Sequence, residues 1–130
     1  MTLFVENLFT FMSTLGTSAG ARFYPNSLPQ GVTYPAVKYF EVSNPQSYTH
    51  SGRSAFQEPR WQLDCWADTY LAARSLANDL KIKVAGYVGK MGTQDVQPIF
   101  YENLRDNFDP ETGKHWVTMD LVIQHIDKEA

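Results

Sequence analysis

The chain has 130 residues, 43% hydrophobic and 19% charged, with 11 Lys and Arg against 14 Asp and Glu for a formal net charge of −3. This balance fits one folded domain over 1–130 and argues against a disordered chain, and the scattered cations argue against nucleic acid as the main partner. No apolar run approaches the roughly 20 residues of a membrane helix, and MTLFVENLFTFMSTLG, with Glu6 inside it and no basic lead-in, is not expected to be a signal peptide.

Residues 3–15, within an N-terminal segment 1–17, are predicted to form a helix. Phe4, Leu8, Phe11, Met12 and Leu15 recur on one face, with Thr2 and Gly16 as start and stop signals. Val5 and Phe9 widen the apolar surface beyond what one sheet face covers. The helix is therefore either deeply packed or in contact with a second copy of the chain. From Gly16 to Tyr34 the composition turns to Gly, Ser, Pro and Asn without periodicity. Pro25, Pro29 and Pro35 withhold backbone donors, so this stretch reads as an ordered loop.

Ala36–Val42 reads as the first strand. Residues 43–59, SNPQSYTHSGRSAFQEP, separate it from the second, far more than the about two to five residues of an ordinary hairpin connection. Tyr48, His50, Arg53 and Phe56 are interleaved there with small polar residues, and Tyr and Arg are enriched at interfaces. The expectation is a projecting arm that docks on a neighbouring molecule. The plainer alternative is an inert loop.

The centre of the chain is RWQLDCWADTYLAARSLANDLKIKVAG, residues 60–86. Trp61, Leu63, Cys65 and Ala67 alternate with Arg60, Gln62 and Asp64, the period of a half-buried strand, and Trp66 interrupts the polar face. Cys65 cannot form an internal disulfide, fits a reducing cytosol, and reads as a small buried hydrophobe. Asp68 or Thr69 can cap a helix on which Ala73, Leu76, Ala77, Leu80 and Val84 form the apolar stripe. Lys81 and Lys83 suit its last turn, and Gly86 its stop.

A Gly-rich connection over 87–93 follows. Asp95–Asp106 is predicted as the third strand, with Pro98 marking an edge or a bulge. NFDPETGK is a turn, with Pro110 at its second position and Gly113 where positive φ is needed. His115–Ile126 is the fourth strand: Val117, Met119, Leu121 and Ile123 face one way, and Thr118, Asp120 and Gln124 the other. The tail 127–130 is charged and expected to fray. The predicted fold is α+β in the order α-β-β-α-β-β. Its sheet is four-stranded and mainly antiparallel, two helices pack on one face, and the first two strands are joined by the long 43–59 loop.

Chemistry is sparse. His50, His115 and His125 lack zinc-type spacing, and Cys65 adds no second soft ligand. Ser51 and Ser54 lie near His50 without the surrounding elbow of a nucleophile. Asp64 and Asp120 project from polar strand faces, where solvated charge is commoner than acid–base work. Gly86, Gly89 and Gly92 follow a helix rather than a strand, the wrong setting for a phosphate loop. No catalytic, cofactor or metal residues are assigned. Trp66 and Trp116, with Phe40 or Tyr39 and Tyr101, are expected to crowd the sheet face away from the helices, as an oligomer contact or a ligand platform.

Four stretches in this order, YPNSLPQGVTYPAVKYFEVS, YTHSG, PRWQLDCWADTYLAARSLANDL and RDNFDPETGKHWVTMDLVI, resemble the tail completion (tail terminator) proteins of long-tailed bacteriophages, over about residues 22 to 123. The resemblance implies a virion structural protein that completes the tail tube and joins it to the head. It implies assembly as a ring, commonly hexameric, with tail tube and head–tail connector proteins as partners, in the virion neck after assembly in the bacterial host cytoplasm. It carries over no catalytic motif, and no cofactor, membrane or nucleic-acid specificity is expected beside it. Interface residues on this reading are Tyr48, His50, Arg53, Phe56, Trp66 and Trp116. Two competitors stand beside it: a small ligand- or peptide-binding module using the aromatic face, and an enzyme built on His50 with Asp64 or Asp120.

Overall fold

The computed structural model describes residues 3–44, 48–49, 52–53, 56–91 and 94–126; of 48–49, 52–53, 56–57, 94 and 126 it describes the backbone alone. The elements are α1 (Phe4–Ser13), β1 (Phe23–Pro25), β2 (Ala36–Ser43), β3 (Tyr48–Thr49), β4 (Gly52–Arg53), β5 (Phe56–Gln57) and β6 (Arg60–Ala67). They continue with α2 (Tyr70–Val84), β7 (Gly89–Met91), β8 (Gln94–Val96), β9 (Phe100–Asp109), β10 (Lys114–Val122) and β11 (His125–Ile126).

The main sheet is five-stranded in the order β1-β2-β6-β10-β9. Strand β6 lies at its centre, antiparallel to both β2 and β10. The alternation in its sequence sets the two faces. Trp61, Leu63, Cys65 and Ala67 are buried, and they share one core with Val37 and Tyr39 of β2 and with Val117, Met119 and Leu121 of β10. Helix α2 lies against β6 and β10 through Ala73, Leu76, Ala77, Leu80 and Val84, the stripe read from the sequence. The Thr69 hydroxyl accepts the Ala72 N–H at 3.1 Å, satisfying one of the donors a helix start leaves free. Helix α1 adds Phe4, Leu8 and Met12 to the same core. Fully burying a leucine contributes about 1.5–3 kcal/mol, and Leu8, Leu63, Leu76, Leu80 and Leu121 are all buried in this layer.

The structure corrects the predicted sheet in three places. First, it has five strands rather than four, because the Pro-rich stretch contains β1, parallel to β2 with Phe23 opposite Val37. Three residues are too few to show a period, and Phe23 is the one side chain there that the core takes in. Second, 95–106 is not one strand. The chain breaks around Pro98, with Gln97 N–H bonded to Gln124 O at 2.8 Å and Ile99 N–H to Tyr87 O at 3.0 Å, and β8 and β9 fall in different sheets. Third, β10 ends at Val122. Beyond it β11 enters a four-stranded sheet, β5-β11-β8-β7, into which the Gly-rich 87–93 connection also feeds a strand. His125 is buried, with its ring stacked on Phe4 at 3.8 Å between centroids. The expected turn is present: Gly113 has φ +72° and its N–H bonds Asp109 O at 2.8 Å. The predicted tail 127–130 and the start signal Thr2 lie outside the described residues.

Candidate interaction surfaces

The sheet face away from the helices is a hydrogen-bonded polar layer with an aromatic end. In the rows set by strand register, Lys38, Asp64, Thr118 and Arg105 lie side by side, and Trp66 and Trp116 lie opposite one another. Asp64 is almost fully buried and its carboxylate has three partners. Lys38 Nζ is 3.3 Å away, the Thr118 hydroxyl donates at 2.9 Å and the Gln62 amide donates at 3.1 Å. Asn107 in turn donates to Thr118 Oγ1 at 3.1 Å. Asp120 pairs with Arg105 at 3.0 Å. Both carboxylates named as possible acid–base groups are therefore tied into the sheet.

Trp66 and Trp116 stack at 4.4 Å with an interplanar angle of 13°, close enough for offset stacking to add to their burial. Phe40 lies on the same face, with Lys38 Nζ 5.9 Å from its ring centre. Of the expected pair Phe40 or Tyr39 it is Phe40 that lies here, Tyr39 being buried beside Trp61, and Tyr101 departs from the expectation: it packs on the core with Lys81 Nζ 4.8 Å from its ring centre. Residues of the Pro-rich loop, Leu28, Pro29 and Tyr34, line one shallow depression together with Trp66.

A second surface was only partly legible. Val5 and Phe9 of α1 are 42% and 36% exposed, so deep packing does not account for them. They form one side of a cleft of about 610 Å³, and Tyr39, Phe40, Glu41 and Trp61 form the other. Glu6 and Glu41 are the charged residues lining it. Burial pushes the Glu41 carboxyl up from its ordinary pKa, and among the described residues it has no hydrogen-bond or ion-pair partner. The indole N–H of Trp61 is buried without an acceptor among those residues. The signal in the sequence was the surplus of apolar residues on the first helix.

Between β2 and β6 the chain leaves the sheet. Strands β3 and β4 pair with each other, Tyr48 opposite Arg53 and Thr49 opposite Gly52, and belong to neither larger sheet. Strand β5 then joins β11, with Phe56 opposite Ile126. Of the predicted interface residues, His50 lies outside the described residues, and the side chains of Tyr48, Arg53 and Phe56 do as well. The backbone pairs Tyr48 with Arg53 in the two-stranded sheet, and Trp66 with Trp116 in the main one.

Cys65 is fully buried. Desolvation, and secondarily the charge of Asp64, push its thiol far above the ordinary range, which makes it inert at neutral pH. Among the described residues no three His, Cys, Asp or Glu side chains are grouped to hold a metal ion, and no helix is long and apolar enough to cross a membrane.

The family model described as "Tail completion protein gp17" matches residues 11–124. No curated protein gives a significant match. Among solved structures, a chain of the structure titled "Virion of native gene transfer agent (GTA) particle" superposes with a TM-score of 0.65. The match covers 92% of this chain and 93% of that one at 9% identity, a likeness of fold alone.

Proposed function

This chain belongs to the tail completion protein gp17 family and so has a structural role in a phage virion; from that premise we propose that it closes the end of the tail tube and joins it to the head. It acts by associating with copies of itself in a ring, hexameric by analogy with the resemblance noted above, and by docking on tail tube and head–tail connector proteins. No bond is made or broken. It assembles in the host cytoplasm and ends in the virion neck. Ring closure calls for heterologous contacts, one patch of each subunit meeting a different patch of the next.

The observation that carries this reading is the β3–β4 ribbon, a hairpin that among the described residues pairs only with itself, while strands β2 and β5 on either side of it are held in sheets. A hairpin of two-residue strands adds little to the stability of its own subunit, so its use lies elsewhere. Replacing residues 46–54 with a short Gly-Ser turn spares Phe56 and its pairing with β11. The expected product is a folded monomer with near-normal melting temperature that fails to complete tails in an extract lacking the native protein. Infectious particles at the normal titre from that variant would overturn the reading.

A further inference from the structure

We propose that the cleft between α1 and β2 is a strand-addition slot, in which an extended segment of a different virion protein continues the main sheet where β1 leaves it. That segment carries an apolar side chain next to a Lys or Arg. The proposal rests on the docking role above and names the chemistry of one partner, independently of the ring.

Strand β1 covers only half of β2. Its last pair is Pro25 with Tyr39, whereas β2 runs on to Ser43, and among the described residues no strand lies beside 40–43 on that side. The rungs show where the pairing stops. Val37 N–H bonds Arg22 O at 2.9 Å and Asn26 N–H bonds Tyr39 O at 2.9 Å, so Val37 and Tyr39 turn their peptide groups to the β1 side. By alternation Glu41 does the same, and the next rung would join its N–H to Asn26 O. That rung is not made. Asn26 sits at φ +68°, a left-handed turn that asparagine tolerates, and the chain leaves the sheet there. The Glu41 N–H is thus a sheet donor with no acceptor among the described residues, and Glu41 lines the cleft. The Trp61 indole N–H is a second such donor in the same lining, and it is buried. Unmet donors beside a sheet edge are what an added strand satisfies with its carbonyls.

The lining defines the guest. The exposed Val5 and Phe9 of α1, with Phe40 and Trp61 also in the walls, gain cover from an apolar side chain of the added segment. Glu6 and Glu41 are the charged residues of the lining and neither Lys nor Arg joins them, so a cation beside that apolar residue completes the match. The volume of about 610 Å³ lies in the range of roughly 300–1,000 Å³ usual for clefts that take ligands. The uncovered stretch 40–43 limits the added strand to a few residues. A second copy of the chain is a poor guest. Its long strand with an open border among the described residues, β9, carries Glu102, Asp106 and Asp109 against Arg105, and would bring like charges to Glu6 and Glu41. The segment therefore belongs to a different chain of the virion.

The test reads tail completion in extracts lacking the native protein, together with the melting temperature of each purified variant. Glu41→Pro deletes the outward N–H and leaves the rungs to β6, the setting in which a strand tolerates proline. It should lower completion about tenfold or more, the scale of one lost interfacial hydrogen bond. Glu41→Gln keeps the N–H and should lower completion by about threefold or less. Because proline can also disturb the fold, Phe9→Glu, at an exposed position of α1, is an independent arm. It should melt within about 2 °C of wild type and complete tails about tenfold less well. A benzophenone amino acid at position 5 then identifies the guest in assembled particles. The expected product joins this chain to a tail tube or connector protein, at an extended segment holding an apolar residue next to Lys or Arg. A product joining two copies of this chain, a product at a helical or acidic segment, or no product at all overturns the proposal. An equal loss with Glu41→Gln and Glu41→Pro would assign the effect to charge instead of the missing rung and overturn it too. Normal completion by Phe9→Glu, or by folded Glu41→Pro, removes the slot while leaving the docking role intact. Wild-type protein that completes no tails removes both.

Discussion

Asp64 and Glu41 stand on adjacent strands of one sheet and are treated in opposite ways. Asp64, near the middle of β6, is almost buried and meets a cation, a hydroxyl and an amide within 3.3 Å. Glu41, near the end of β2, loses part of its hydration and meets no partner among the described residues. The difference separates a polar site that finishes the subunit from one that the subunit leaves open. Burial and the completeness of the hydrogen-bonding shell both tell them apart, Asp64 being buried and fully partnered and Glu41 exposed and, among the described residues, unpartnered.

The sharpest way to break this comparison is at its closed end. Asp64→Ala strands Lys38 and leaves the buried Thr118 hydroxyl with one partner fewer, so a loss of about 3 kcal/mol is expected in denaturant unfolding. A loss below about 0.5 kcal/mol would mean that the network is ornamental. The aromatic end of the same face comes next. A double-mutant cycle on Trp66→Ala and Trp116→Ala should give a coupling of about 0.5–1.5 kcal/mol in the isolated protein. If the pair also meets a neighbouring molecule, tail completion should fall by more than that stability loss explains. Smallest of all is Glu41→Gln, expected to change stability by no more than about 0.5 kcal/mol, as surface substitutions do. Its sign can be worked out. The fold raises the carboxyl's pKa, so the native state disfavours the charged form, and the cost is present at neutral pH. Removing the charge with Glu41→Gln should therefore be marginally stabilising at pH 7, with the gain vanishing as pH falls below the ordinary carboxylate range. Thermal melts at pH 7 and pH 4 check this. A variant destabilised at pH 7 would show that Glu41 already has a partner.

The parts of the fold legible in the sequence are those with a long, unbroken period. Residues 60–84 run through a full strand and a full helix, and every residue assigned there to the apolar side is buried. The hairpin of β9 and β10 was marked by Pro110 and Gly113, whose backbone demands are local. What escaped was short. Strands β1, β7, β8 and β11 have two or three residues each, too few for alternation to register, and they exist because distant segments pair with them. Facing was left open where both faces are aromatic. Tyr39 and Phe40 are neighbours of similar size in β2, and only the register with Leu63 and Gln62 decides which one turns inward. Of the candidate site, a long insertion between β2 and β6 was legible in the sequence, and the β3–β4 pairing inside it was not. The cleft was not, since Val5, Phe9 and Glu41 are far apart in the chain until α1 docks beside β2.

Strand β9 carries a last implication. Ten residues long, it borders the main sheet with β10 on one side and, among the described residues, no strand on the other. An open border of that length is a template on which any extended peptide can grow. Glu102, Arg105, Asp106 and Asp109 punctuate it, three of them held in ion pairs that fix where their charges stand. An open border needs such a guarded margin, and here the guard is written into the strand's own run of charges.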